Sequence, residues 1–356
     1  MYKNVIITGT GSAIPNKIVK NNDFNNHVFF NEDGTLFEKE NDEIIEKFQA
    51  ITGIEERRYA EDNINTSDLA SEASLKAIKA ANINKEELDL IIVAHNFGDV
   101  KKGSIQGDFL PSIATRVKNK LGIQNPNCVA YDILFGCPGW VQAMIQANQA
   151  IKAGDAKKAL IIGAETLSRV VDKSDRDSMI FSDGAGATII ELANEDKERG
   201  ILSTAAQTYA IEEAGYLYSG ATYNKENDQD INYIKMLGRK IYEFALVNVP
   251  AAIKAAMDKR NLDIDDINQI FLHQANEKMD EAIVKRLYRL YRKPVKKNVM
   301  PMSIQKLGNN SVATVPILYD MVLNNQVENH TIAKDDIVIF ASVGAGMNIN
   351  AITYKL

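Results

Sequence analysis

Cysteine is scarce in this sequence: only Cys128 and Cys137 occur among 356 residues. Two cysteines cannot build a disulfide framework, and no cluster of cysteine and histidine has the spacing of zinc ligands. We therefore expect no bound metal, and no feature of the sequence requires a cofactor. Free thiols without disulfide partners are typical of a cytoplasmic protein.

Long apolar runs and an excess of positive charge are also absent. No apolar segment approaches the roughly 20 residues that a membrane-spanning helix needs, and residues 1–9 enter a strand pattern without the apolar core of a signal peptide. We therefore expect a cytoplasmic protein that does not act in a membrane. The net charge of −6 argues against general nucleic-acid binding.

What the sequence does contain is an alternation of strand and helix patterns, which predicts an α/β protein with a largely parallel sheet. Apolar runs at residues 88–94 and 158–164 predict buried strands, and residues 182–191 predict a glycine-rich turn that leads into a strand. Gly9 and Gly11 lack the third glycine of a dinucleotide-binding turn, so we do not expect a nicotinamide site there.

The second half of the chain repeats the first. Residues 82–93 (NINKEELDLIIV) resemble residues 261–272 (NLDIDDINQIFL), and residues 156–162 resemble residues 335–341 at the same offset. Two matches at one offset indicate a duplicated domain whose halves share helices between their sheets. The predicted halves are residues 1–195 and residues 196–356.

Cys137 gives the strongest chemical signal. The apolar residues 129–135 predict a buried strand that stops at Gly136, and an apolar helix follows almost at once. Pro138 suits the first helical position, because its ring fixes φ near the helical value. A thiol at a helix N-terminus is expected to have a lowered pKa and to act as a nucleophile. The alternative interpretation is a buried structural cysteine.

A histidine follows the second-half strand that corresponds to the predicted strand at residues 88–94. His273 comes directly after the apolar residues 270–272, and its counterpart in the first half is Ala94. Because α/β sheets place ligands at the carboxyl ends of their strands, His273 is a candidate functional residue. The alternative is a hydrogen-bonded core histidine.

Two glycine-containing turns complete the candidate site. Residues 306–316 (KLGNNSVATVP) place Asn309, Asn310 and Ser311 just before an apolar helix, although a helix cap needs only one such residue. Residues 342–347 (SVGAGM) follow a buried strand, and their glycines let backbone N–H groups approach a ligand as an oxyanion hole requires. The alternatives are an ordinary helix cap and a tight turn between strands.

Over its whole length the chain resembles the β-ketoacyl-ACP synthase III family, the condensing enzymes of the thiolase fold. Residues 273–276 (HQAN) are identical to a motif of that family, Gly136-Cys137 is similar to its acylated cysteine, and residues 308–311 are similar to its Gly-Asn-Thr-Ser. The resemblance implies an α/β fold with αβαβα layers and two pseudo-repeated halves. It implies three catalytic residues, Cys137, His273 and Asn309, and four residues that bind the substrate or its oxyanion, Gly344, Ala345, Asn276 and Leu110.

The resemblance also implies a mechanism. Cys137 takes an acyl group from a thioester, and a malonyl thioester then loses carbon dioxide. His273 and Asn309 stabilise the resulting enolate, which attacks the acyl group on the cysteine. The implied partners are acyl carrier protein or coenzyme A thioesters and a second copy of the chain, with no metal or redox cofactor.

Several positions depart from the family pattern. Lys47 and Ile51 stand where Trp and Arg usually grip the adenine of coenzyme A, which favours a carrier-protein donor. Leu110 replaces a Phe that limits the acyl pocket across the dimer, which implies a roomier pocket. Phe135 and Pro138 flank the cysteine where small residues are usual, as in relatives that join two acyl units in secondary metabolism.

A basic segment follows the His273 motif. Residues 285–297 contain seven lysines and arginines within an acidic protein. Because acyl carrier proteins are acidic, we expect docking at this segment, through Lys285, Arg286 and Arg289. The alternative is a solvated helix face.

The sequence therefore predicts an acyltransferase that performs a decarboxylative Claisen condensation. One alternative is a relative that joins two longer acyl or β-ketoacyl thioesters, as in dialkylresorcinol or polyene pathways. A second is a non-catalytic partner of a ketosynthase that only binds the carrier protein, although such partners typically lack the reactive cysteine.

Overall fold

A computed structural model describes residues 1–356. The strands are β1 (Tyr2–Ala13), β2 (Lys17–Lys20), β3 (Glu56–Tyr59), β4 (Leu90–Ala94), β5 (Val129–Ile133), β6 (Lys158–Thr166), β7 (Asp183–Glu195), β8 (Gly200–Thr208), β9 (Leu217–Ala221), β10 (Asn232–Met236), β11 (Ile267–Leu272), β12 (Ile337–Gly344) and β13 (Asn348–Lys355). The α-helices are α1 (Asn41–Thr52), α2 (Thr66–Ala81), α3 (Ile113–Lys120), α4 (Gly139–Ala153), α5 (Gly238–Asp258), α6 (Glu277–Leu290), α7 (Ile304–Leu307) and α8 (Thr314–Leu323). None of these helices combines the length and the apolarity needed to cross a bilayer.

Two mixed sheets form the body of the molecule. Their strand orders are β1-β7-β6-β4-β5 and β11-β12-β13-β8. Strands β4, β5 and β6 run parallel, as do β11 and β12, but the other neighbours are antiparallel. The prediction of a largely parallel sheet is therefore wrong. In the second sheet, β13 follows β12 after only the short turn Ala345–Met347, which cannot hold the crossover that a parallel pair needs.

The two sheets stack with helices in five layers. Helices α4 and α8 lie between the sheets, where one cluster of 24 buried residues joins both sheets. Within it, Trp140 of α4 meets Phe340 of β12 edge-on, with ring centroids 5.5 Å apart. Helices α2 and α3 cover the outer face of the first sheet, and α5 and α6 cover that of the second. The predicted αβαβα fold is confirmed.

The predicted boundary between the halves falls in the link between the two sheets. Strand β7 ends at Glu195 and β8 begins at Gly200. All five strands of the first sheet precede this link, and all four strands of the second follow it. The division into duplicated halves at residue 195 stays a prediction.

The predicted glycine turn at residues 182–186 is instead the beginning of β7, so that prediction is wrong. Its glycines serve helix packing. A Cβ atom on Gly186 would lie 2.7 Å from Pro316 Cβ and 2.8 Å from the backbone nitrogen of Ile317. Helix α8 therefore lies directly on the β7 backbone, and it carries the preceding residues 308–313 toward the end of β6.

Strand β5 also differs from its prediction, because it is only half-buried. It pairs only with β4 and forms the edge of the first sheet. Val129 is 57% exposed, and Leu134, just beyond the strand, is 63% exposed. An apolar sequence at the open edge of a sheet offers a surface for another chain.

A hairpin of β9 and β10 was not predicted from the sequence. It is tied to the loop after β6 by Lys235, whose ammonium group is buried and lies 2.6 Å from Asp172 and 3.0 Å from Asp175. Asp172 also accepts hydrogen bonds from the Thr222 hydroxyl and the Tyr223 N–H. These contacts hold the hairpin above the carboxyl ends of the first sheet.

Candidate active site

Cys137 lies in the turn between β5 and α4, as predicted. Gly136 has φ +63°, and a Cβ atom there would lie 2.6 Å from the backbone nitrogen of Ala345, so only glycine fits this turn. Helix α4 begins one residue later than expected, because Pro138 takes the N-cap position. The thiol therefore lies just before the first turn of α4.

The pKa of the thiol does not follow the prediction from the helix N-terminus. Burial is the largest effect and raises the pKa of Cys137 to about 11, the Ser311 hydroxyl lowers this pKa, and the nearby Glu165 carboxylate raises it when it is ionised. The predicted lowering of the thiol pKa is therefore wrong, because desolvation outweighs the favourable contacts. The resting protein carries Cys137 as a neutral thiol at pH 7.

His273 follows β11, and its backbone N–H donates a hydrogen bond to the Ala341 carbonyl at 2.9 Å. The residue is buried, and its Nδ1 atom has no hydrogen-bond partner. Burial lowers the pKa of His273 to about 4, although the backbone carbonyl of Ser311 opposes this shift. The imidazole is therefore neutral at pH 7, so it can donate a hydrogen bond without carrying charge.

Asn309 is held from both sides. Its backbone N–H donates to Ile180 and its carbonyl accepts from Ser182, each at 2.9 Å. Its side-chain Oδ1 accepts from the Ser311 N–H at 2.7 Å. Because Oδ1 is occupied, Nδ2 is the atom left to donate to a ligand.

Ser311 connects the three predicted catalytic residues. Its Oγ donates to Cys137 Sγ at 3.4 Å, its N–H binds Asn309, and its carbonyl acts on His273. The Asn96 Nδ2 atom donates to the same Oγ at 3.1 Å. The structure thus brings Cys137, His273 and Asn309 together from separate parts of the chain.

The predicted oxyanion turn packs against the cysteine. A Cβ atom on Gly344 would lie 2.5 Å from the Cys137 nitrogen and 2.8 Å from Pro138 Cδ. Ala345 lines the pocket in front of the thiol. A larger residue at position 344 would push the cysteine out of place.

Two cavities adjoin the site. A pocket of about 270 Å³ opens onto Cys137 and is walled by the hairpin, through Leu217, Tyr218 and Ile234. A larger cavity of about 510 Å³ does not contain Cys137, but its wall residue Ile180 precedes Phe181 in the wall of the smaller pocket. Four basic side chains line the larger cavity: Lys39, Lys47, Arg176 and Arg239.

The other predicted site residues lie farther from the thiol. Asn276 caps α6 through a bond from the Met279 N–H at 3.1 Å and lines the larger cavity. Leu110 is 90% exposed and contacts neither cavity of its own chain. The three predicted docking residues, Lys285, Arg286 and Arg289, are exposed on α6.

Some pocket residues were missed from the sequence. Asn96 follows β4 at the carboxyl end, a position that could have marked it as a ligand-facing residue. Glu165 is an acid within the apolar run of β6, which could have suggested a buried functional carboxyl. Leu217, Tyr218 and Ile234 carried no sequence signal, because their place depends on how the hairpin folds back.

The chain was compared with protein families and curated relatives. The model of the 3-oxoacyl-[acyl-carrier-protein (ACP)] synthase III family matches residues 131–210, and that of its C-terminal domain matches residues 257–356. The chain is 34% identical over 357 residues to β-ketoacyl-[acyl-carrier-protein] synthase III of Staphylococcus aureus (strain Newman), covering 99% of each chain.

Solved structures agree with these matches. The 3-oxoacyl-[acyl-carrier-protein] synthase III of Aquifex aeolicus VF5 superposes with a TM-score of 0.80 at 28% identity, over 99% of this chain and 100% of that one. The priming β-ketosynthase of the R1128 polyketide pathway shares the fold, with a TM-score of 0.81 at 22% identity over 99% and 96% of the two chains. The chain therefore belongs to the β-ketoacyl-[acyl-carrier-protein] synthase III family and is an acyl-transferring condensing enzyme of the thiolase fold.

Proposed function

We propose that Cys137, His273 and Asn309 are the catalytic residues of a decarboxylative condensation. The observation that carries this proposal is the position of Ser311. Its hydroxyl contacts the cysteine sulfur, its N–H contacts the Asn309 side chain, and its carbonyl raises the pKa of His273. A thiol, a neutral imidazole and a free amide group are thus connected through one residue.

In the first half-reaction, the Cys137 sulfur attacks the carbonyl carbon of an acyl thioester. The new carbon–sulfur bond forms, the bond to the donor sulfur breaks, and the thiol proton leaves with the donor thiol. The negative oxygen formed on the way is held by the N–H of Cys137 and an N–H of the 344–346 turn. Each such donor contributes about 3 kcal/mol to catalysis.

In the second half-reaction, a malonyl thioester loses carbon dioxide and the electron pair moves onto its thioester carbonyl. His273 and the Asn309 Nδ2 donate hydrogen bonds to the resulting enolate oxygen. The α-carbon then attacks the acyl group, the Cys137 thiolate leaves and takes up a proton from water, and a β-ketoacyl thioester is released. Because burial holds the pKa of His273 at about 4, its imidazole is neutral at pH 7 and can donate this hydrogen bond without carrying charge.

The two cavities suggest where the substrates lie. The 270 Å³ pocket is walled by apolar side chains such as Leu167 and Phe181, and we assign it to the acyl group. The 510 Å³ cavity has a basic lining and we assign it to the arm of the thioester donor, near Asn276. Phosphate groups on that arm would be attracted to Lys47 and Arg176.

We infer that the preferred acyl donor is an acyl carrier protein. Neither Lys47 nor Ile51, which line the larger cavity, presents an aromatic face for an adenine ring. The aromatic residues of that cavity, Phe37, Phe48 and Tyr242, lie at other positions. Loading from an acyl carrier protein should therefore exceed loading from the matching acyl-coenzyme A by at least about tenfold in kcat/KM, equivalent to ~1.4 kcal/mol. The measurement is the loading rate for a panel of acyl groups on both donors.

A double variant provides the control for donor choice. Lys47→Trp with Ile51→Arg should raise loading from acyl-coenzyme A and leave the carrier-protein rate little changed. Equal or faster loading of the natural protein from acyl-coenzyme A would contradict the inferred donor preference.

The exposed basic face of α6 is our proposed docking surface for the acidic carrier protein. Changing Lys285, Arg286 and Arg289 together to Glu should raise KM for a carrier-linked substrate about tenfold at low salt, with kcat unchanged. The difference should shrink as salt screens the charges. Lys79→Glu, an exposed charge on α2, is the matched control. An unchanged KM would mean that this basic face of α6 is only a solvated helix face and does not dock the carrier protein.

We also propose a homodimer joined at β5, and a cytoplasmic location where Cys137 stays reduced. The open edge of β5 carries exposed Val129, and the neighbouring loop exposes Phe109 and Leu110. Burial of this apolar edge against a second copy would remove it from solvent. Sedimentation should give twice the mass of 39.5 kDa, and a monomer at micromolar concentration would contradict this arrangement.

A second candidate function is the joining of two longer acyl or β-ketoacyl thioesters. Phe135 and Pro138 beside the thiol favour it, together with Leu110 in place of a larger residue. Product analysis with malonyl and β-ketoacyl acceptors separates the two functions, because only the second candidate should accept the β-ketoacyl thioester.

A further inference from the structure

A chain of polar side chains leads away from Cys137, and the two half-reactions above assign no catalytic role to it. The Ser311 Oγ lies 3.4 Å from Cys137 Sγ, the Asn96 Nδ2 lies 3.1 Å from that Oγ, and the same Nδ2 lies 2.5 Å from Glu165 Oε1. Glu165 is fully buried near the end of β6, and its Oε2 has no partner. We call Ser311, Asn96 and Glu165 the serine relay.

The donors and acceptors of the serine relay set its direction. An amide nitrogen has two hydrogens, and those of Asn96 point to Glu165 and to Ser311. The backbone N–H of Asn96 also lowers the pKa of the Glu165 carboxyl. Since the Ser311 oxygen accepts from Asn96, its single hydrogen is free for the Cys137 sulfur.

We propose that Ser311 is a further catalytic residue, whose hydroxyl stabilises the Cys137 thiolate during acyl loading, and that Asn96 and Glu165 are positioning residues that hold this hydroxyl toward the sulfur. The inference rests on Cys137 being the nucleophile. The hydroxyl keeps its own proton throughout, so the balance of the loading step is unchanged.

The need for such a donor follows from the burial of the thiol. Burial raises the pKa of Cys137 to about 11, and the Ser311 hydroxyl is the main contact that opposes this effect. A hydrogen bond to a charged group is worth one to two pKa units, so its loss should lower the thiolate population about 10- to 100-fold.

Three titratable groups face the thiol or its relay. Glu165 on β6 has its pKa raised to about 8 by burial, Asp183 at the start of β7 acts on Glu165, and His273 is neutral. Below pH 8 Glu165 is therefore uncharged. As the pH rises through 8, its carboxylate opposes the thiolate, so the rise of thiol reactivity with pH should become less steep.

The test is the pH profile of Cys137 alkylation by iodoacetamide, read by intact mass. Ser311→Ala removes the hydroxyl but keeps the N–H that binds Asn309. It should slow alkylation and acyl loading about 10- to 100-fold at every pH below 10, because the rate follows the thiolate fraction. Malonyl decarboxylation, measured separately, should change far less.

The positioning residues have their own expected results. Asn96→Leu should slow alkylation in the same direction without adding charge. Glu165→Gln keeps an oxygen for Asn96, so it should match the natural protein below pH 8 and lose the inflection near pH 8. Thr188→Val is the matched control, because that buried hydroxyl on β7 has no partner, lines neither cavity and should have no effect.

Two outcomes would overturn the serine relay. An unchanged alkylation rate in Ser311→Ala would mean that the Ser311 hydroxyl does not stabilise the Cys137 thiolate. Faster alkylation in Asn96→Leu would mean that Asn96 draws the Ser311 hydrogen away from the sulfur. A circular dichroism melt of each variant separates both outcomes from misfolding. Alkylation does not require condensation, so a natural protein that alkylates but never takes an acyl group would defeat the proposed function and still test the relay.

Discussion

Replacing Cys137 with alanine should abolish formation of the acyl-enzyme. Incubation of the natural protein with an acyl thioester should add one acyl mass, and the variant should add none, because no other side chain in the 270 Å³ pocket offers a thiol. The overall rate of condensation should fall by at least about a thousandfold, as expected when a nucleophile is removed. Intact mass spectrometry measures the first effect and product formation the second.

Cys128 provides a matched control for this experiment. It is 1% exposed beside β5, and burial raises the pKa of its thiol as well. Cys128→Ala should therefore keep the full acyl adduct. An adduct that persists in Cys137→Ala and disappears in Cys128→Ala would reverse the assignment of the nucleophile.

Replacing His273 or Asn309 with alanine should separate the two half-reactions. Acyl loading should continue nearly at the natural rate, while decarboxylation and condensation should each fall about 100- to 1,000-fold, the usual cost of losing one donor to a developing oxyanion. Because the pKa of His273 lies near 4, the decarboxylation rate should not depend on this residue's titration between pH 6 and pH 8. The measurements are the adduct mass and the release of labelled carbon dioxide.

His330 is the control histidine for this second prediction. His330 is only partly buried and lies on the loop before β12. Its Nδ1 atom is 2.9 Å from Oε1 of the Gln269 side chain. His330→Ala should retain both half-reactions. If loss of His273 or Asn309 instead blocked the mass gain, these residues would belong to acyl loading and their proposed roles would be wrong.

The local pattern around Cys137 and His273 was sufficient to predict where both residues lie. A strand, a glycine and a helix start place Cys137 at a turn, and the apolar residues 270–272 place His273 at the end of β11, the counterpart of β4 in the predicted repeat. Both features depend on short segments whose apolar periodicity directly determines their structure. The five-layer fold followed from the resemblance and is confirmed.

Features that depend on distant packing could not be predicted in the same way. The thiol pKa was expected to fall because of the helix start, but burial raises it, and the hairpin walls the pocket in front of the thiol. Strand β5 was expected to be buried because it is apolar, but it lies at the edge of its sheet and is only half-buried. The contact of Asn96 with Ser311 joins residues 215 positions apart, and no local pattern indicates such a pair.

A single-turnover experiment tests directly whether acylated Cys137 takes part in a decarboxylative condensation. The protein is loaded with an acyl group, freed from its donor, and mixed with malonyl-carrier protein while the protein mass and the carrier mass are followed together. We expect the acyl mass to leave Cys137 in step with the release of one carbon dioxide per turnover and with the formation of a carrier-bound β-ketoacyl chain two carbons longer. An acyl group that stays on the protein, or leaves only as the free acid, would contradict the proposed condensation.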